Sequence, residues 1–375
     1  MLPKLLIVEN SRNTTGAFKS ALAISQTMRD DFAVEWVLPA DASRELSDQV
    51  ELAGFAVHHM PMRELGRSWR RLAGYLPTLA SNAIRLRRLL AKRGADVLMI
   101  NDYYNLLGAV IKGTGWRGRL LTYVRLLPAN QQPLLNRLWV WAACRFSDAV
   151  IAVSGAVKRQ LPQFRNVVLI YDPPALTAVS AMPVPENPSQ CGKIRFLYLA
   201  NYIQGKGHAT ALAAFAVAHA QRQNLALCFV GSDMGLAKNA DLKSQLEDEA
   251  QRMGLDRVVC FKGFVGNVAG EIAAADVVLN FSESESFSRT CLEACFYSRP
   301  VIATRCGGPE EIIENGVSGF LVPVGDVPAM STAMLQLADD ANMRNCMGKA
   351  GAEIVRARFS EERFLAEFLP FCGAQ

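Results

Sequence analysis

The chain alternates short apolar runs with stretches of helical periodicity, and it does so twice, on either side of a proline-rich break. The runs before the break are 4–9, 33–38, 55–60, 96–100, 120–124, 149–153 and 167–170. Those after it are 195–200, 225–230, 258–261, 276–280, 301–304 and 320–322. Runs this short and this uniformly apolar read as strands buried on both faces. The helical stretches between them read as crossovers, so each set predicts a parallel sheet with helices on both sides. The break holds Pro173, Pro174, Pro183, Pro185 and Pro188, a density that no helix or central strand tolerates. It is the expected linker, residues 173–192, between a domain at 1–172 and a domain at 193–358. Ligands of doubly wound sheets bind beyond the carboxyl ends of the strands, so functional residues are sought there.

Composition agrees with two packed domains. The 375 residues are 50% hydrophobic and 20% charged, enough for two cores and too apolar for disorder. No apolar run approaches the roughly 18 residues that span a bilayer. The first nine residues read as a buried strand, too short and too acidic at Glu9 for a secretory signal. Nine cysteines without regular spacing predict reduced thiols and a cytoplasmic protein. His58, His59, His208 and His219 make no metal-ligand spacing, and there is no Asp-x-Asp motif, so no metal site and no cofactor are expected. Charge is divided unevenly. Residues 1–172 hold 23 Lys+Arg and 13 Asp+Glu, a net +10, and the remainder holds 17 and 22, a net −5. A basic half beside an acidic half suggests an anionic partner for one of them.

One motif is a decoy. Gly113-Thr114-Gly115-Trp116-Arg117-Gly118 fits Gly-x-Gly-x-x-Gly, but it follows a helix and precedes a strand, the reverse of what pyrophosphate binding requires. A helix C-cap at Gly113 is the expected explanation.

The chemistry is concentrated in the second half. Glu285 and Glu293 bracket the segment Glu-Ser-Phe-Ser-Arg-Thr-Cys-Leu-Glu, after an apolar strand and the polar turn 282–284. A helix is expected from about Ser286 to Ser298, which separates the two carboxylates by just over two turns. Cys306-Gly307-Gly308-Pro309-Glu310-Glu311 follows downstream. Upstream, Asn201 to His208 is a loop in which Lys206-Gly207 opens a helix, and a lysine with helix-start N–H groups suits a phosphate. This order resembles the retaining family-4 glycosyltransferases, with Glu-x7-Glu and then Gly-Gly-x-x-Glu. The resemblance covers essentially the whole chain and is strongest from Asn201 to Asp326.

It implies the GT-B architecture, two doubly wound Rossmann-like α/β domains facing across a cleft. Residues 1–172 would bind acceptor, 193–358 would bind donor, and a last helix at 359–375 would cross back to the first domain. It implies transfer from a UDP- or GDP-linked sugar, with retention through a front-face displacement, to a glycan or lipid-linked acceptor. Glu285 would meet the transferred sugar, Glu293 the ribose and Lys206 the diphosphate. Asn201 stands where the family has arginine, which removes one cation, and Arg289 near the helix start is the expected compensation. Arg125 stands where the family has a sugar-contacting histidine. Gly16, the one glycine left of a usual pair, would let backbone approach the donor. Phe264 would lie against the base, and Phe287, Ser288 and Thr290 fall in the donor loop, with Ser288 replacing a glycine. Two other readings stay open: an epimerase or phosphorylase-like enzyme on the same fold, and a non-catalytic scaffold.

The first domain also carries a basic arm. Nine Lys/Arg and one acid, Glu64, lie between Arg63 and Arg93. From Leu79 onward the spacing is that of a sheet-packing helix with a solvated basic face. Arg63, Arg67, Arg70 and Arg71 with Trp69 suit an anionic membrane surface, and peripheral attachment to the inner face is expected from them. Nucleic acid is not an expected partner, because no recognised binding module is present.

Overall fold

The structure, a computed structural model, describes residues 2–63, 69–174 and 192–373, with the side chains of residues 69–72 outside the description. The chain divides into two compact units, Met1–Ala175 with Phe359–Gln375, and Leu176–Arg358.

The first unit runs β1 Lys4–Val8, α1 Gly16–Thr27, β2 Ala33–Pro39, α2 Arg44–Leu52, β3 Ala56–Met60 and α3 Trp69–Arg93. It continues through β4 Val97–Ile100, α4 Leu107–Gly113, β5 Arg119–Val124, α5 Pro133–Phe146, β6 Ala149–Ala152, α6 Gly155–Lys158 and β7 Val167–Leu169. The second unit runs β8 Ile194–Leu199, α7 His208–Gln221, β9 Leu225–Val230, α8 Ala237–Arg252, β10 Val259–Lys262 and α9 Val268–Ala273. It continues through β11 Val277–Asn280, α10 Arg289–Phe296, β12 Val301–Thr304, α11 Pro309–Ile312, β13 Gly319–Val322, α12 Val327–Asp339 and α13 Ala341–Arg358. The last helix, α14 Glu361–Cys372, packs on β5 of the first unit.

Every expected strand is present, with ends within one residue of those expected. The sheet orders are β3-β2-β1-β4-β5-β6-β7 and β10-β9-β8-β11-β12-β13, all parallel. Both are doubly wound Rossmann-like sheets. The strand order reverses between β1 and β4 in one unit and between β8 and β11 in the other. At such a reversal the loops leave in opposite directions and open a crevice at the strand ends.

Each unit has its own core. Leu6, Val8, Leu98 and Ile100 of the first sheet pack against Leu86 and Leu90 of α3. Leu79 and Ala83 join that cluster, as the helical spacing requires, and Arg85, Arg88 and Lys92 point to solvent. Phe196, Tyr198, Phe215, Phe229 and Phe281 dominate the second core. Helix starts follow local chemistry. Thr15 caps α1 through the Phe18 N–H at 3.1 Å, and Ser360 caps α14 with Glu361 and Glu362 in its first turn.

The decoy glycines resolve differently from expectation. α4 ends at Gly113, but the residue with left-handed backbone is Gly115, at φ +86°. The Gly115 N–H donates to Lys112 O at 3.1 Å and the Trp116 N–H to Ile111 O at 3.4 Å, which is a Schellman cap two residues later than expected. No helix among the described residues is long and apolar enough to cross a membrane. The eight cysteines among the described residues are free thiols.

Candidate active site

The loops leaving β8 and β11 flank the strand-order reversal of the second unit, and they bring Lys206 to Glu285. The Lys206 Nζ lies 2.7 Å from Glu285 Oε1, although the two are 79 residues apart in sequence. The Ser282 hydroxyl donates to the same oxygen at 2.8 Å. The Glu285 side chain is 15% exposed and that of Lys206 is 32% exposed, so the pair is held in place yet accessible.

Close packing sets the position of Lys206. Gly207 is the N-cap of α7 at φ +74°, and a Cβ there would lie 2.0 Å from Phe281 O. Only glycine lets the two loops approach this closely. The buried Tyr198 ties them together: its hydroxyl donates to Lys206 O and accepts from the Phe281 N–H at 3.0 Å. Burial pushes that hydroxyl's pKa well above the ordinary tyrosine value. α7 has no side-chain cap, so its first N–H groups have no side-chain acceptor. Behind the loop, His208 stacks on Tyr202 and its Nε2 lies 3.3 Å from Ala200 O. Burial lowers its pKa to about 4, so it is a neutral packing residue.

The expected helix from Ser286 begins later. α10 starts at Arg289, with Ser288 as N-cap accepting from the Cys291 N–H at 3.3 Å. Asn280 Nδ2 donates to the same Ser288 hydroxyl at 2.9 Å. Glu285 therefore lies outside the helix, in extended backbone that pairs with Gly307. Its N–H donates to Cys306 O at 3.1 Å and its carbonyl accepts from the Gly308 N–H at 2.9 Å. The second motif, Gly307-Gly308, is thus the backbone support of the first. Beside it, burial raises the Cys306 thiol to about 11.

Glu293 sits one turn into α10, where Arg289 Nη2 donates to its Oε1 at 2.5 Å. Arg289, the expected compensation for Asn201, thus forms an i,i+4 ion pair with Glu293 in this structure. Thr290 is anchored by its hydroxyl to Leu199 O at 3.0 Å, and Asn201 accepts from the Ser232 N–H at 3.1 Å. Phe287 is buried, and Phe264, just beyond β10, is 51% exposed. The sequence reading missed Ser282 and Tyr198. Ser282 lay in the polar turn that precedes the glutamates, and Tyr198 was marked only by a hydroxyl inside a buried strand.

In the first unit, Gly16 is the first residue of α1, with ordinary helical backbone. Arg125 lies just beyond β5 and is 5% exposed. Its Nε donates to Asn101 Oδ1 at 2.6 Å, its Nη1 pairs with Asp172, and its guanidinium lies 4.3 Å from the Tyr123 ring centroid. Arg125 Nη2 and Asp172 Oδ1 are buried without a hydrogen-bond partner. Asn101 in turn donates to the fully buried Glu9, whose other oxygen accepts the N–H groups of Asn10 and Ser11, each at 2.7 Å. Burial, and then the charge of Glu9, push the neighbouring Asp102 up to about 8. Next to this cluster is an open pocket whose lining includes Arg12, Arg63, Tyr75, Asn82, Tyr104 and Asn105. Asn82 is 4% exposed and its Oδ1 has no partner. Arg67 and the side chains of Trp69, Arg70 and Arg71 lie outside the described residues.

Comparison with known proteins places this arrangement. The model for glycosyl transferases group 1 matches residues 185–354, and that for glycosyltransferase family 4 matches residues 14–172. N-acetyl-alpha-D-glucosaminyl L-malate synthase of Bacillus anthracis is 37% identical over 113 residues, 30% of this chain and 29% of that protein. The lipopolysaccharide core biosynthesis glycosyltransferase LpsD of Rhizobium meliloti is 30% identical over 127 residues, 34% of this chain and 37% of that protein. These matches span only about a third of the relatives' length. The crystal structure of Anabaena HepE with UDP and glucose superposes at a TM-score of 0.84 with 21% identity, covering 100% of both chains. Two parallel Rossmann-like units of the GT-B type, a Lys206–Glu285 pair at a strand-order reversal, and two family models that together match almost the whole sequence lead to one assignment: the chain belongs to the family-4 GT-B glycosyltransferases.

Proposed function

We propose that the protein is a retaining glycosyltransferase that moves a sugar from a UDP- or GDP-linked donor to a glycan or lipid-linked acceptor. The observation that carries this reading is the Lys206–Glu285 pair, set between two helix starts at the strand-order reversal of the second unit. A donor diphosphate needs a cation and N–H donors, and Lys206 with the uncapped start of α7 supplies both. Glu285, held by Lys206 and Ser282, is suited to orient a sugar hydroxyl. Glu293, fixed by Arg289, suits a ribose.

In the reaction the bond between the anomeric carbon and the diphosphate oxygen breaks, and its electrons leave with the diphosphate. The acceptor hydroxyl bonds to that carbon on the same face, and its proton passes to the departing phosphate oxygen. Lys206 acts on the charge that develops there, and no protein nucleophile and no divalent metal is assigned a part. The acceptor belongs in the first-unit pocket, where Arg12, Asn82 and Asn105 offer polar contacts beside Tyr75 and Tyr104. LpsD is named for lipopolysaccharide core biosynthesis, and HepE was solved with UDP and glucose, which supports a nucleotide-sugar donor and a cell-envelope glycan as acceptor. Work on a lipid-linked acceptor would place the protein on the inner face of a membrane.

The test is release of UDP or GDP from a panel of sugar nucleotides, with and without a chelator, followed by NMR of the product's anomeric configuration. Release that persists with chelator and gives the donor's own configuration supports the reading. No release from any donor overturns it, and an inverted product overturns retention.

A further inference from the structure

α5 turns an apolar and basic stripe to solvent. Leu134 is 81% exposed, Leu138 40% and Trp141 57%. Positions i, i+4 and i+7 share one helix face. The opposite face, with Trp139, Val140, Ala142 and Ala143, is buried against the first unit. Arg137 and Arg145 are exposed on the outward side, and the helix contains no acid. Neither arginine forms an ion pair among the described residues. Arg145 lies 5.5 Å from the Phe146 ring centroid, and Trp141 meets that ring edge-on at 5.9 Å. No other helix among the described residues exposes more than two large apolar side chains. Such residues scattered singly need no explanation, but three on one stripe do.

Charge selects the occupant. A second copy meeting this face across a two-fold axis would set arginines against arginines with no acid to pair them. A bilayer surface offers both halves of the match: acyl chains for Leu134, Leu138 and Trp141, and anionic headgroups for Arg137 and Arg145. We propose that α5 is a membrane-docking helix that lies in the plane of an anionic lipid surface. This gives the membrane contact of the reading above a defined face, distinct from the Arg63–Arg71 segment expected from sequence, most of which lies outside the described residues.

The test is cosedimentation of the purified chain with anionic and with neutral vesicles, at low and at high salt. Native protein should pellet with anionic vesicles at low salt and be released by salt. Arg137→Gln with Arg145→Gln should weaken binding by about thirtyfold, as expected for two basic residues at such a surface. Leu138→Ser with Trp141→Ser should abolish it. Brominated lipids should quench tryptophan emission of the native protein, a readout that needs no variant. Four outcomes overturn the proposal: native protein that stays in the supernatant, no quenching, binding lost only in a variant of Arg63, Arg67, Arg70 and Arg71, or a native dimer that the α5 substitutions convert to monomer. Nucleotide release is measured on the same samples. Its persistence in the α5 variants separates failure of docking from failure of the transferase reading.

Discussion

At the scale of single residues the decisive question is what Lys206 does. Its ammonium is 2.7 Å from Glu285 and partly open to solvent, so a diphosphate can share it. Lys206→Ala should leave the fold intact and cost roughly 2–4 kcal/mol of transition-state stabilisation, as for other oriented donors. Turnover of the folded variant within a fewfold of native would remove Lys206 from the mechanism. Asp102 allows a test independent of activity. Burial and Glu9 raise its pKa to about 8 from an ordinary 3.8, so its native form holds the proton more tightly than the unfolded chain does. The resulting stability is fully present below the unfolded pKa and is lost as pH rises through about 8. Asp102→Asn removes the titration, so its melting temperature should fall less than that of the native protein between pH 5 and pH 8.5, read by circular dichroism as about two points on that slope. Parallel curves would mean that Asp102 ionises normally.

At the scale of elements, the strands were legible because each is a continuous apolar run between polar breaks, and parallel strands are buried on both faces. The start of α10 was not. Residues 282–287 carry no Gly or Pro that marks them off from a helix, and what keeps Glu285 extended is backbone pairing to Cys306 and Gly308, which local periodicity does not register. The commitment of Arg125 to Asp172, 47 residues away, was hidden for the same reason. Lys206, Glu285 and Glu293 could be named as candidates because motif spacing fixes residue type, but Ser282 and Tyr198 meet them through contacts only the fold creates. The extended Glu285 and the helical Glu293 predict distinct kinetics. Glu293→Gln should mainly raise the donor KM, and Glu285→Gln should mainly lower kcat, because ground-state contacts appear in KM and transition-state contacts in kcat. The opposite pattern in steady-state assays would exchange their roles. Gly207→Ala should weaken donor binding and destabilise the protein by roughly 1–3 kcal/mol, because its Cβ meets the Phe281 carbonyl and its backbone is left-handed. An unchanged melting temperature would show that the loop adjusts freely.

At the scale of the whole molecule, two separate cores and one set of proposed donor residues make ligand binding a local event with a measurable signature. Lys206, Glu285 and Glu293 all belong to the second unit. All five tryptophans, Trp36, Trp69, Trp116, Trp139 and Trp141, belong to the first. Tryptophan emission therefore follows the first unit alone, and far-ultraviolet circular dichroism follows both. A ligand that binds only folded protein stabilises it by about 2.7 kcal/mol at a hundred times its dissociation constant. UDP or GDP should thus raise the midpoint seen by circular dichroism in urea and move the tryptophan midpoint less, because the bound unit gains the stability directly. The preferred nucleotide should be the one released in turnover assays, and Lys206→Ala should abolish the shift. Equal movement of both midpoints would mean that the units unfold as one cooperative block. A shift in tryptophan emission alone would put the nucleotide on the first unit, and would overturn the donor assignment.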